Sequence, residues 1–318
     1  MTPATRRTIT GFLLAAATAA VLHAAGQQRS AQAPPAPKPP KGAPGEPWPD
    51  AKTIESHRVA AENRKLFNTE DPLPFTLTAD FNTINKDKNP NSTKMYPGTI
   101  EFPTDDGKTK TVNIEMRPRG HSRRAICFEV PLKLTFPKEE VKGTVFDGVG
   151  SIKLGVHCRS DFEDYVDREY LNYKIYNLLT PNSFRARLAK ATYVDVKTKK
   201  PIDKDPHFAM FLEDDDDVAR RMSGRITDQK DLKFPQVDKD TVYTMTIFEY
   251  MISNLDMSLS AQHNVKVVEV PAGTKYPVPY DFDYSGLVNA SYSQPPPNLT
   301  TLRGAPLESV RVRLYRGP

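Results

Sequence analysis

The residues best equipped for chemistry lie in the last third of the chain. Asn254 and Asp256 follow a predicted helix, His263 and Asn264 open the next predicted strand, and Asp281, Phe282 and Asp283 close a hairpin. A loop acid, an amide at a strand start and an acid pair at a hairpin end converge on one edge. Oxygen donors of this kind hold Mg²⁺ and leave one carboxylate to accept a proton. Taken singly, Asp256 and Asp281 read equally well as turn and capping residues, because aspartate side chains bond their own backbone in turns. Their order together is what points to a site.

Upstream, Arg119-Gly120-His121-Ser122 precedes Lys133, which sits among Pro131, Leu132, Leu134 and Phe136. A lysine in so apolar a strand needs a partner. Glu169 is the natural one, since it shares a helix face with Phe162, Val166, Tyr173 and Tyr176, and an ion pair would join the strand to that helix. Alternation also permits Lys133 to stand on the outward face of its strand, with no partner required.

The elements that must position these residues follow from hydrophobic period. Strands are predicted at Phe75 to Ala79, Thr99 to Phe102, Thr111 to Met116, Leu132 to Phe136 and Ser151 to Gly155, separated by turn-forming clusters such as Asp105-Asp106-Gly107. From Asp161 to Leu179 the period becomes helical, with Ser160 or Asp161 as cap and Pro181 as stop. Strands at Arg187 to Val196 and Phe208 to Leu212 come next, then a short helix that begins in Asp214 to Asp217. The second long helix, Asp240 to Asn254, precedes a hairpin of Val265 to Val270 and Val278 to Phe282. This order predicts an α+β chain of two layers or lobes.

The ends and the composition set the context. Arg6 and Arg7, the apolar run Gly11 to Ala25 and the small residues after it predict a cleavable secretory signal over residues 1–25, with cleavage possible up to 33. About 15 apolar residues fall short of the roughly 20 a membrane span needs, so no stable span is expected after cleavage. Thr5 to Ile9 also resembles a twin-arginine signal. Residues 26–49, rich in Pro, Ala, Gly, Lys and Gln, read as a disordered linker, and 50–318 as the working domain. Removing Arg6, Arg7 and Arg29 with a leader that holds no acid lowers the formal charge of +5 to about +2. The remaining charges are interspersed, without a basic stripe bearing aromatics, which argues against nucleic acid. The only cysteines, Cys127 and Cys158, are expected to be bridged in an oxidising compartment, periplasmic or extracellular. Two buried free thiols are the alternative.

A set of short motifs, in order, resembles the spore coat protein H (CotH) kinase-like family. They are Arg-Gly-X-Ser before a strand lysine, an aromatic strand ending in Glu213, Asn254-X-Asp256, His263-Asn264, and Pro-Tyr-Asp-Phe-Asp ending at Asp283. The likeness covers roughly residues 110 to 290. It implies an atypical protein-kinase fold of two lobes, with an antiparallel sheet and a helical C-terminal lobe that is shortened here. It further implies transfer of phosphate from ATP to a protein or envelope acceptor with Mg²⁺ or Mn²⁺. Lys133 would contact the nucleotide phosphates, Glu213 would end the strand that leads to the adenine contact, and Asp256 would be the catalytic acid. Asn264 and Asp281 would bind metal with Asp283 in support, the division of labour phosphoryl transfer uses. The pairing of Glu169 with the lysine comes from spacing alone. Met257 departs from the Trp that often follows the catalytic acid in that family, and no Gly-rich loop is present. A catalytically inactive envelope binding or assembly protein is the alternative, and a different metal-dependent enzyme on the same acids is a third, although no Gly-X-Ser-X-Gly or His-Glu-X-X-His motif supports a hydrolase.

Overall fold

The computed structural model describes residues 46–158, 163–294, 301–302, 305–306 and 317–318. The expected signal, most of the expected linker and the expected cap at Ser160 or Asp161 lie outside these residues. Of the expected linker, Glu46 to Pro49 are described: the Trp48 ring lies 4.2 Å from the Arg225 guanidinium, and Arg225 donates to the Glu46 carbonyl at 2.7 Å.

Alternating strands build the larger part of the fold. In β1 (Leu73–Ala79), β2 (Tyr96–Pro103) and β3 (Thr109–Pro118), every second side chain is apolar and turned inward, as Val112, Ile114 and Met116 show in β3. Gly107, at φ 77°, supplies the left-handed residue that lets the β2–β3 turn close. β4 (Leu132–Thr135), β5 (Ser151–Val156), β6 (Ala186–Asp195) and β7 (His207–Leu212) continue the sheet in the order β1-β2-β3-β4-β5-β7-β6. The sheet then closes: β1 pairs with β6 in parallel, from Leu73 against Ala189 to Ala79 against Asp195, to make a barrel of seven strands. Its interior is packed. Phe146 stands 4.9 Å from Phe102, 4.6 Å from Phe136 and 5.4 Å from Phe211, while Ala189, Ala191 and Ala209 leave room for these rings.

A second layer covers one flank. The helix α4 (Glu163–Leu179) lies on β6 and β7, burying Tyr173 and Tyr176 with Ala186, Met210 and Leu212 from the outer faces of those strands. Beyond it come α5 (Asp215–Arg221), the three-stranded sheet of β8 (Arg225–Thr227), β9 (Val265–Glu269) and β10 (Lys275–Pro279), and the helix α6 (Lys239–Met251). Asp214 and Asp238 cap α5 and α6 by accepting from the N–H groups of Asp216 and Thr241. Phe248, Ile252, Val268 and Phe282 unite this layer with α4 in one apolar cluster.

The predicted strands and helices stand close to where hydrophobic period puts them, while α1 (Ala51–Glu62), α2 (Phe81–Ile84) and β8 were not expected, and the expected two-lobe kinase-like fold is not what they form. The strands shut into a ring instead of remaining an open sheet above a helical lobe. The parallel β1–β6 pairing that shuts it joins segments more than 100 residues apart, and no local pattern encodes such a pairing.

Candidate functional site

The polar centre of the molecule is built around one guanidinium. Gly120, at φ 81°, ends the run of β3 and turns the chain into the short helix α3 (Ser122–Ile126), whose last turn meets the Cys127–Cys158 disulfide. From α3, buried Arg123 reaches Glu169 of α4 at 3.1 Å, Asp281 at 2.8 Å and Asp283 at 3.2 Å. Burial opposes charge on the arginine, yet Asp283, Glu169 and Asp281 hold its pKa well above the ordinary value. One cation faces three carboxylates, and the excess negative charge is resolved by a proton. Burial, helped by Asp281 and Glu169 and opposed by Arg123, pushes Asp283 up to about 8. Glu169 is raised by burial as well, whereas Asp281 is lowered because Arg123, Arg119 and Lys153 outweigh its burial.

The hairpin end gathers the expected catalytic and metal residues. The Tyr280 N–H donates to the Asn264 carbonyl at 2.9 Å, so the residue before β9 and the residues after β10 lie side by side. Asn264 in turn donates its amide to the Asp256 carbonyl at 2.7 Å and to the Asp256 carboxylate at 3.0 Å, and His263 bonds the other carboxylate oxygen at 3.0 Å. Asn264 and Asp281 both have left-handed backbones, φ 54° and 65°, and the Asp281 N–H donates to the buried Tyr173 hydroxyl at 2.8 Å. Non-glycine residues rarely adopt that conformation, and where they do the surroundings must enforce it.

One expected pairing differs. Glu169 bonds Arg123 and not Lys133, which instead lies 3.8 Å from Asp214. The physical reason is register: Lys133 and Lys153 are directly opposed on β4 and β5, so either could have been the covered lysine. Lys153 is the buried one, set between the rings of Phe184 and Tyr280 and bonded to Asp215, which also takes Lys266 at 3.1 Å. Burial lowers the Lys153 pKa, partly offset by Asp215. Glu213 is fully buried, and its two oxygens are shared between the guanidinium groups of Arg185 and Arg221 at 2.8 to 3.0 Å. Its side chain thus joins β6, β7 and α5.

Cations from the barrel, Arg119 and Lys153, consequently oppose acids from the hairpin end. Asp256, Asn264 and Asp281 present oxygen donors suited to Mg²⁺ or Mn²⁺. Asp281 and Asp283 are also the acids that Arg123 engages, on different nitrogens. Sequence reasoning missed Arg123 and Lys153. Lys153 had a visible signal, a charge between Ile152 and Leu154 in a predicted strand; Arg123, in an irregular stretch, had none.

No family model and no curated protein matches this chain. The likeness to the CotH kinase-like family rests on its motifs alone.

Proposed function

We propose that the chain is an exported phosphotransferase that binds ATP with Mg²⁺ or Mn²⁺ and passes phosphate to a protein or envelope acceptor. The observation that carries this reading is the junction at the hairpin end, where Asp256 is fixed by Asn264 and His263 and is joined through Asn264 and Tyr280 to Asp281. Lys153 and Arg119 would offset phosphate charge, and Asp281 with Asn264 would hold the metal, which neutralises charge on the transferred group. The acceptor hydroxyl would lose its proton to Asp256 as its oxygen bonds the γ-phosphorus and the bond to the ADP oxygen breaks. The disulfide, and the absence among the described residues of any helix long and apolar enough to cross a membrane, are compatible with an exported protein.

One observation favours a second reading, a nucleotide or phosphate binder without transfer. Arg123 already occupies Asp281 and Asp283, and metal binding there requires those ion pairs to loosen.

Calorimetric titration of the folded, oxidised protein with ATP, with and without Mg²⁺, tests both. Lys153→Met should weaken ATP binding by about tenfold or more, the scale of a lost charge-assisted contact. Asp281→Ala should remove the metal dependence of binding. Asp256→Ala should retain binding and lower transfer by roughly 10²–10⁴-fold, as expected for a lost general base. Absence of heat and of any thermal shift with ATP and metal would end both readings, and binding without transfer in the wild type would leave the second.

A further inference from the structure

A cavity lies elsewhere, at one rim of the barrel. It encloses about 970 Å³ and is lined by Phe81, Phe128, Glu129, His157, Tyr193 and Asp203 among others. His157 follows β5 directly and is only 1% exposed, with Nδ1 buried and lacking a hydrogen-bond partner in the described residues. Buried polar atoms without partners are uncommon and ask for an explanation. Its ring stacks on that of His207, the first residue of β7, with 3.9 Å between centroids and 16° between planes. Asp203, in the turn before β7, lies 3.0 Å from His207 Nε2. One donor atom from each of these three residues falls within 4.8 Å of the others, a grouping found nowhere else among the described residues.

We propose that His157, His207 and Asp203 bind one divalent transition-metal ion, Zn²⁺ in the first instance, in the wall of this cavity. Two imidazole nitrogens and a carboxylate are a donor set that zinc takes, with a fourth position left open toward the cavity. Mg²⁺ prefers oxygen donors throughout, so this site and the hairpin end select different ions. Burial, helped by the neighbouring His207, pushes the His157 pKa down to about 4, which keeps the imidazole neutral at physiological pH as coordination requires. A bound cation would give the buried Nδ1 a partner, and coordination by both imidazoles requires the face-to-face rings to turn so that a nitrogen of each points at the ion.

The test uses the folded, oxidised protein after treatment with a chelator and dialysis. Titration with ZnCl₂ should give one equivalent per chain, unaffected by excess Mg²⁺, and Co²⁺ should produce the intense visible bands of a four-coordinate site. Asp203→Asn and His207→Gln should each weaken Zn²⁺ binding by more than the roughly 10–100-fold lost when a group that only orients a ligand is removed. Asp203 is exposed, so its variant tests the site without disturbing the core. Sub-stoichiometric uptake by the wild type, or unchanged affinity in both variants, would overturn the proposal and assign any binding to surface groups such as His57 or His121. Zinc binding requires no ATP, so its failure and that of the phosphotransfer reading are separately visible.

Discussion

Arg123 is the side chain whose loss the fold should feel most. Three carboxylates converge on it, and removing one partner of a buried ionic group leaves charge without compensation. Arg123→Met should therefore destabilise the protein by about 3–5 kcal/mol, measured by denaturant unfolding at neutral pH. Glu249 presents the opposite case. It is buried on α6, and burial pushes its carboxyl up to about 8 from an ordinary 4.5. Between those two values the native state holds a proton that the unfolded chain has lost, so stability falls as pH rises through that window. Glu249→Gln stays neutral throughout. It should come close to the wild type at about pH 4.5 and exceed it by about 4 kcal/mol near pH 8, and melting curves at both pH values check this. Reading such residues from sequence succeeds where spacing determines a face, as with Glu169 beside Val166, Tyr173 and Tyr176. It fails where two faces look alike: Lys133 and Lys153 stand opposite each other on neighbouring strands, and what distinguishes them is the cover of Phe184 and Tyr280 supplied by segments far along the chain.

Among the elements, α3 is the one whose position is most constrained relative to its length. It spans only Ser122–Ile126, too short to be stable alone. Arg124 ties it to the Asp87 carboxylate at 2.7 Å and to the carbonyls of Asp87, Ser92 and Pro118, while the disulfide fixes its end to the segment after β5. Replacing Cys127 and Cys158 by alanine should cost about 3 kcal/mol, the loop-closure estimate for a bond across 31 positions. Amide exchange in α3 should rise more than in β2 or β3. The long helices and the β9–β10 hairpin were legible because amphipathic period and turn residues are local signals. For α3 the signals are a glycine and two arginines in an otherwise irregular run, and their meaning depends on acids that are distant in sequence.

For the molecule as a whole, the number and order of the barrel strands were legible and their closure was not. Alternation says which side chains face inward, and short turns say which neighbours pair. The contact between β1 and β6 has neither signal, because both strands run the same way and the chain between them first makes four other strands of the barrel, β2 to β5. Where element order suggested two layers or lobes, the strands close into a barrel that carries a helix-and-sheet flank. The hairpin-end residues could be grouped from sequence because the hairpin itself brings Asn264 beside Tyr280 and Asp281. The cavity at the rim could not, since His157 and His207 meet only when β5 and β7 pair.

The count of strands in the ring has one further consequence, which is a matter of parity. An odd ring cannot alternate direction all the way round, so seven strands demand a mismatch somewhere, and the β1–β6 seam is that mismatch. Four strands, β1, β3, β5 and β6, then finish at one edge and three at the other. The cavity lies at the edge where those four finish, among Phe81 after β1, Phe128 beyond β3, His157 after β5 and Asp195 at the end of β6. One strand more or fewer would let the ring alternate throughout, without the seam, and equal numbers of strands would finish at the two edges.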